Sequence, residues 1–287
     1  MNAVGVLHPG EMGSVAALTL QNAGHRVYWV AKGRSAHSRR RAEELGLCDA
    51  GSLAHLCEMC SDVVSVCPPE FADDVADAVL QREFRGLYID ANAISPERVE
   101  RMARRLTEAG AEFVDASIIG PASRASGRVW IYFSGAQARR AAELFGIAGP
   151  MQPEAIGEQV GQASALKMCY AGFSKGSRAL LCAVVAAAEQ LGVRDLLKRQ
   201  WARSDRELAE AEKTIARVAA KAWRFAPEMH EIASAFEAAG IGGDFHRAAA
   251  KLYGQMEAFK DAESPDIEAI LRACAILEKI PRQERTA

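Results

Sequence analysis

GVLHPGEMGSVAA, residues 5–17, changes character twice within thirteen residues. Ahead of its polar centre, the β-branched run AVGVL (3–7) reads as a buried strand, and behind it Met12 opens a segment with helical spacing. Between them, in HPGEMG, Gly10 and Gly13 keep the last two glycines of the spacing G-x-G-x-x-G, and His8 stands where the first would be. A strand that runs through such a turn into a helix is the setting in which this spacing holds a dinucleotide. The second glycine lets a pyrophosphate approach the backbone, and the third lets the helix pack on the strand. The helix N-terminus supplies N–H donors and the positive end of its dipole. His8 suits the turn if its φ is negative, and Pro9 removes one backbone donor, so the phosphate grip differs from that of an all-glycine loop. His8, Pro9, Gly10, Glu11, Met12 and Gly13 are therefore candidate cofactor-binding residues.

The same alternation continues downstream. RVYWVA (26–31), DVVSVC (62–67), GLYIDA (86–91) and EFVDAS (112–117) read as further buried strands, separated by helical segments near 11–23, 36–45, 70–81 and 96–109. The last of these opens on Ser95-Pro96, a capping residue followed by proline at the first helical position. The β-α-β order predicts a doubly wound, Rossmann-like parallel sheet with helices on both faces. After about residue 160 the strands stop. From Gln162 onward Ala, Leu, Glu and Arg recur at helical period, with breaks near Gly192, Pro227, Gly240 to Gly243 and Ser264-Pro265. The expected organisation is an α/β domain over 1–160 followed by an all-α domain over 161–287.

Charge narrows the partners. Lys and Arg number 35 against 37 Asp and Glu, for a net charge of −2, so no overall field draws the chain to nucleic acid or to a membrane surface. The longest apolar run, Ala179 to Ala188, is too short to span a bilayer. The opening MNAVGVL carries no basic export signal, which leads to the expectation of a cytoplasmic protein. Seven cysteines, an odd number, do not form a disulfide framework and fit a reducing compartment. Cys57-Glu-Met-Cys60 has the spacing of a metal or redox pair, but no second pair or histidine partner follows at zinc-site distance. On a helix from Ser52 to Cys60 both thiols would share one face and pack as small hydrophobes, and no metal is expected.

The second strand indicates which dinucleotide. A site for the unphosphorylated ribose normally has an acid at that strand's end, about 20 residues past the glycines. Here the sequence reads AKGRS (31–35), and no Asp or Glu lies between Glu11 and Glu43. Lys32, Arg34 and Ser35 are suited to a 2′-phosphate, which predicts NADP(H) in preference to NAD(H). Arg39, Arg40 and Arg41 read as a solvated helix face.

Taken in order, these segments resemble the β-hydroxyacid dehydrogenase and 6-phosphogluconate dehydrogenase-like superfamily, over most of the chain and most closely over residues 3–178. GEMG (10–13) is similar to the end of that family's GLGxMG loop, and DVVSVCPP (62–69) to its fourth strand and the loop that follows. IDANAISPE (89–97) resembles the D-x-S-T-x-S-P segment beside the nicotinamide. VDASIIGPASRASG (114–127) stands where the family has D-A-P-V-S-G-G, and GQASALKMCYA (161–171) where it has G-x-G-x-x-x-K-x-x-x-N. HPGEMG itself resembles an uncharacterised, 6-phosphogluconate-dehydrogenase-like subgroup. The resemblance implies cofactor contacts from Cys67, Pro68, Pro69 and Asn92 and a catalytic lysine at Lys167. It also implies a homodimer formed through the helical domain.

A lysine in that place makes chemical sense. Hydride arriving at a carbonyl carbon builds negative charge on oxygen, which a positioned ammonium stabilises and protonates. In the oxidative direction a neutral lysine takes the hydroxyl proton, which calls for a pKa lowered by burial or by a nearby cation such as Lys175. Ala171, Ser174 and Arg178 fall on the helical stripe of Lys167. Two departures bear on substrate. Ala171 replaces the family's asparagine, with Tyr170 beside it, and Ile119-Gly120-Pro121 replaces its serine and two glycines. A pocket built from Ser117, Ile118, Ile119, Gly120, Tyr170, Ser174, Lys175 and His246 is then more apolar than one for a simple hydroxy acid. The expected activity is NADPH-dependent hydride transfer to or from a small carbonyl or hydroxy compound. An imine-reductase-like or oxidatively decarboxylating enzyme on the same fold, and a non-catalytic NADP(H)-binding sensor, are the alternatives.

Overall fold

The computed structural model describes residues 2–125, 127–204 and 207–275 and divides into two compact units, Met1–Cys169 and Tyr170–Ala287. In the first, β1 (Ala3–Val6), α1 (Glu11–Asn22), β2 (Arg26–Trp29), α2 (Ala36–Glu44), β3 (Cys48–Asp49) and α3 (Leu53–Met59) alternate. β4 (Asp62–Ser65), α4 (Ala72–Leu80), β5 (Leu87–Asp90), α5 (Pro96–Glu108) and β6 (Glu112–Ile119) continue the alternation. β7 (Val129–Ser134), α6 (Ala138–Phe145) and β8 (Met151–Gly157) complete the unit. All the strands join one eight-stranded sheet in the order β3-β2-β1-β4-β5-β6-β7-β8.

β1 to β6 run parallel, as the alternation predicts. β7, which the sequence rhythm does not show, pairs antiparallel with β6, and β8 then runs parallel to β7. No helix intervenes between β6 and β7, so the chain turns back on itself instead of crossing over. The five strands read from sequence are β1, β2, β4, β5 and β6, whereas β3, β7 and β8 were not anticipated. β3 is only two residues long and carries no periodicity, and β7 departs from the β-α rhythm by which the others were found.

Period-2 alternation sorts the strand residues into two cores. Val4, Val6, Val64, Leu87 and Ile89 face one side with Val15, Leu20 and Phe145, from α1 and α6. Val63, Tyr88 and Phe113 face the other with Leu56, Val79, Met102 and Leu106, from α3, α4 and α5. Cys57 and Cys60 join this second core, and burial pushes their thiols up to about 11 and about 12. The CxxC pair thus packs as a pair of small hydrophobes.

α7 (Gln162–Gln190) begins in the first unit and continues into the second. The units divide inside it, beyond the residue 160 expected from sequence, because its first turns are hydrogen-bonded to β6. The second unit also holds α8 (Arg194–Ala202), α9 (Leu208–Ala219), α10 (Ala222–Ala238), α11 (Asp244–Gly254) and α12 (Ile267–Cys274). Turns fall at Gly192 and Gly240, both at positive φ, and Asp266 caps α12 just past Ser264-Pro265. Pro227 does not break its helix. It lies inside α10, where the buried side chains of Met229, Ile232 and Ala233 offset the lost backbone bond. Glycines let α7 approach its neighbours: a Cβ on Gly172 would lie 3.2 Å from His246 Nε2, and one on Gly176 2.8 Å from a Phe245 ring carbon. Among the described residues, no helix is long and apolar enough to cross a membrane.

The two glycines of the first turn differ in kind. A Cβ on Gly13 would lie 2.0 Å from the His8 carbonyl oxygen, whereas one on Gly10 meets nothing within 4 Å. Gly13→Ala is therefore expected to cost about 1–3 kcal/mol in denaturant unfolding, and Gly10→Ala to leave the midpoint unchanged. Equal midpoints for the two variants would refute this account of the turn.

Candidate functional site

The turn after β1 is built from its own backbone. Leu7 N–H donates to Val64 O at 3.0 Å, Gly10 N–H to His8 O at 2.8 Å, and Ser14 N–H to Gly10 O at 2.9 Å. The last is the first bond of α1, so the Met12 and Gly13 amides precede the helical ladder and are placed for an anion. Glu11 opens α1 itself. Pro9 is buried and gives the turn no N–H, as expected. Positive φ at non-glycine residues is confined to Glu83 and Asp261 among the described residues, so His8 turns with negative φ. Gly10, at φ −69°, is not needed for its conformation; its lack of a side chain leaves open space over the turn.

A cleft of about 650 Å³ lies at the carboxyl ends of β1 to β4, lined by Leu7 and His8, then Val30, Lys32 and Arg34, then Gly51 to Leu53, then Cys67, Pro68 and Phe71. β1 and β4 are neighbours between which the strand order reverses, and in open α/β sheets that switch point is where ligands bind. Two buried nitrogen atoms there, His8 Nδ1 and Arg34 Nε, have no hydrogen-bond partner in the protein. Burial, and then the Arg34 cation, lower the His8 pKa to about 4, so its imidazole is neutral. Asp49, on β3, spends Oδ1 on the Ala31 and Gly51 amides at 3.1 and 2.9 Å. Among the lining residues Asp74, on α4, supplies the negative charge. Two partnerless nitrogens, one of them on Arg34, in a cleft shared with Lys32 and above a turn with open space, fit a nicotinamide dinucleotide.

Not every cofactor candidate faces this cleft. Ser35 caps α2, its Oγ accepting from Ser38 N–H at 3.2 Å, and it is not among the lining residues. Pro69 is buried at the start of a 3₁₀ turn, Pro69–Phe71. Asn92 is buried, and its amide is engaged by protein: Oδ1 accepts from Cys67 N–H at 2.6 Å, while Nδ2 donates to Ser65 Oγ at 3.1 Å and to Asp90 Oδ1 at 2.6 Å. Asn92 thereby positions the Cys67-Pro68 loop, a different task from the contact expected of it. Burial, reinforced by Asp90, pushes the Cys67 thiol up to about 12, so it stays protonated.

Beneath the site two carboxyl groups stand side by side on parallel strands, Asp90 paired in register with Asp115, both fully buried. Asp115 Oδ2 accepts from Ser134 Oγ, Gly161 N–H and Ser164 N–H, each at 3.0 Å, and Oδ1 from Ser164 Oγ at 2.7 Å. Burial raises its pKa while these four donors pull it back down. Asp90 accepts from Asn92 alone on Oδ1, and its Oδ2 has no partner. Burial first, then repulsion from Asp115, push it up to about 8, so it carries a proton at neutral pH. Asp115 thus clamps the N-terminus of α7 to the sheet. The sequence reading named neither aspartate as functional, although the DAS of EFVDAS and the QAS before Lys167 contain the pair that meets.

One turn past that clamp, Lys167 Nζ donates to Ile118 O at the end of β6. Ser117, Ile118, Ile119 and Gly120 follow in line there. The Ser117 hydroxyl is buried with no partner in the protein, and Gly120 has φ +134° where a Cβ would meet Arg128 O at 2.4 Å. The remaining candidates belong to the helical unit. Tyr170 is exposed, and Ser174 Oγ turns back to Ala171 O at 3.5 Å. Lys175 forms a largely buried ion pair with Glu228 and lies 5.2 Å over the Phe225 ring. Its charge is therefore matched by Glu228 within its own unit. His246 is buried between the rings of Phe236 and Phe245, its Nδ1 without a partner, and burial lowers its pKa. No cluster of three His, Cys, Asp or Glu side chains among the described residues is arranged to hold a metal ion.

The family described as the NAD binding domain of 6-phosphogluconate dehydrogenase matches residues 3–149, and a domain of unknown function matches residues 188–256. An uncharacterized 28.5 kDa protein from Methanothermus fervidus is 33% identical over 168 residues, 58% of this chain and 63% of that relative's length. A solved conserved protein of unknown function, described as structurally similar to 3-hydroxyacid dehydrogenases, is 26% identical with a TM-score of 0.66, over 90% of this chain and 97% of that one. The 3-hydroxyisobutyrate dehydrogenase of Mycobacterium tuberculosis shares the fold at 19% identity and a TM-score of 0.69, over 96% and 99% of the two chains.

The Asp90 proton has a consequence for stability. Its folded pKa, about 8, lies above the unfolded value of 3.8, so the folded state holds the extra proton between the two. The resulting stabilisation is complete below the unfolded value and is lost as pH rises through the folded one. Urea midpoints of the wild type are expected to fall between pH 5 and pH 9, and Asp90→Asn to flatten that fall. Parallel pH profiles for the two proteins would contradict a protonated Asp90.

Proposed function

The chain belongs to the family of the NAD binding domain of 6-phosphogluconate dehydrogenase, and on that premise we propose that it is an NADPH-dependent oxidoreductase in which Lys167 is the general acid and base. The substrate is a small carbonyl or hydroxy compound. The observation that carries this reading is the Lys167 ammonium, fixed on Ile118 O on a helix whose start is pinned by Asp115. A nicotinamide, when bound, supplies or accepts the hydride. Lys167 stabilises the charge that grows on the substrate oxygen and transfers the proton. Its nitrogen already donates to a carbonyl, so in the reductive direction it exchanges that partner for the substrate oxygen. Lys32 and Arg34, in the cleft, favour the 2′-phosphorylated cofactor.

Ile119-Gly120-Pro121 offers no side-chain hydroxyl and one N–H fewer than a serine with two glycines, so the substrate carries less negative charge than a simple hydroxy acid. That feature also favours imine reduction as the second reading, which analysis of products separates from carbonyl reduction. Lys167→Ala is expected to lower kcat by about 10²–10⁴-fold and to leave the NADPH dissociation constant within about twofold, by stopped-flow and calorimetric titration. Undiminished kcat would remove Lys167 from the chemistry. Nicotinamide binding that shifts the assembly state with no turnover on any carbonyl or imine would replace the enzyme by a sensor.

The reading includes a cytoplasmic homodimer. The cysteines at Cys48, Cys57, Cys60, Cys67, Cys169, Cys182 and Cys274 are all free, in keeping with a reducing compartment. Tyr170, Phe173, Leu180 and Val184 on α7 and Leu191 just beyond its end are exposed, and with Ser177 and Ala187 they follow a 3-4 spacing, the seam of one helix against another. An apolar groove of about 490 Å³, lined by Leu180, Ala187, Phe245 and Leu252 among others, continues that stripe. A second copy presenting the same stripe would cover both. In sedimentation velocity the wild type is expected to run as a dimer and Phe173→Glu/Leu180→Glu as a folded monomer; a monomeric wild type would eliminate this part of the reading.

A further inference from the structure

The structure assigns to His8 a task that the turn's glycine pattern does not provide for: we infer that its imidazole, together with Arg34, receives the 2′-phosphate of the cofactor and makes His8 a specificity-determining residue. The inference rests on the nicotinamide-cofactor reading above and deepens it. Three observations carry it. His8 takes the place of the fingerprint's first glycine, so a side chain stands where such a loop ordinarily offers bare backbone. That side chain lines the same cleft as Lys32 and Arg34, beyond the carboxyl ends of β1 and β2. Its Nδ1 and the Arg34 Nε are both buried and both without a partner in the protein, and groups of that kind are normally satisfied, by protein, water or ligand.

The chemistry of the pair selects the ligand. Burial lowers the His8 pKa, and Arg34 lies close enough to lower it further, so the cleft holds one guanidinium beside a neutral imidazole. A guanidinium and an imidazole N–H can both donate to one phosphate, and each bond is then charge-assisted, which a neutral ribose hydroxyl cannot match. The neutral imidazole adds a donor without a second desolvated charge next to Arg34. Lys32, exposed at the rim, adds long-range attraction, and Asp74, on α4, is the acid that bounds the site on its other side. Asp49, whose Oδ1 accepts from the Ala31 and Gly51 amides, is not among the residues lining the cleft. On this reading, the substitution that departs from the glycine pattern strengthens recognition of the phosphorylated nucleotide.

The test uses fragments, so it does not depend on knowing the substrate. The full chain is titrated calorimetrically with adenosine 2′,5′-bisphosphate, 5′-AMP, NADPH and NADH, as wild type, as His8→Gly, which restores the fingerprint glycine, and as His8→Asn, which keeps a short donor. The wild type is expected to prefer the 2′-phosphorylated member of each pair by tenfold or more. His8→Gly should reduce that preference about tenfold while 5′-AMP affinity stays within twofold, and His8→Asn should fall between the two. Thermal unfolding of both variants confirms that they fold, and if His8→Gly does not, His8→Asn alone decides by a preference lower than the wild type's. An unchanged preference in a folded variant overturns the role of His8 and leaves the cofactor reading standing. Equal loss of 5′-AMP and bisphosphate binding also overturns it, since His8 would then serve the adenosine or the loop. If the wild type binds neither dinucleotide at millimolar concentration, the cofactor reading fails together with the inference.

Discussion

The buried carboxyl of Asp115 is the point on which the arrangement of the site turns. A carboxylate taken out of water is costly unless hydrogen-bonded, and here four donors compensate it, three of them from Gly161 and Ser164 at the start of α7. A helix N-terminus favours a negative charge, so the attraction works in both directions. With that end fixed, the position of Lys167 one turn later follows from helix geometry, and so does its reach to Ile118 O. Asp90, beside Asp115, lacks comparable donors and keeps its proton instead. Of two adjacent buried acids, one is supplied with four donors and the other keeps its proton, and the division is set by where the strands place serines and amides.

Much of this is written locally in the sequence, and the rest is written at a distance. Strand and helix periods gave β1, β2, β4, β5 and β6 and their helices, because each is a short buried run next to an amphipathic one. β7 and β8 stayed hidden because their pairing depends on β6 turning back without a helix, a long-range fact that leaves no period behind. Pro227 misled for the converse reason: a proline weakens a helix locally, but the burial of Met229 and Ile232 outweighs one lost bond.

The candidate site divides in the same way. Arg34 and the turn at 8–13 were nominated by charge and glycine spacing in the residues themselves, and Lys167 and Cys67 by the likeness of their segments to the family's motifs. The roles of Asn92 and Ser35 were not legible, since both have side chains that could serve a ligand, and only the folded chain shows that backbone partners claim them first. Lys175 is the clearest instance. Eight residues past Lys167 it reads as a neighbouring cation, yet Glu228, distant in sequence, has already neutralised it. Tertiary ion pairs of that kind cannot be read from spacing on one helix.

β5 stops in register at Asp90 opposite Asp115, whereas β6 runs on to Ile119, its last residues paired with β7 alone. The sheet therefore has a notch cut into its upper margin, with a strand wall on one side only. It is into this notch, at Ile118, that the lysine reaches. A β5 longer by a few residues would close it and cover the flank of β6 without changing Lys167 or any other side chain there. In this architecture the space beside Ile118 is set by where a neighbouring strand ends, so insertions and deletions in the segment after Asp90 would remodel it more readily than point changes in the residues that line it.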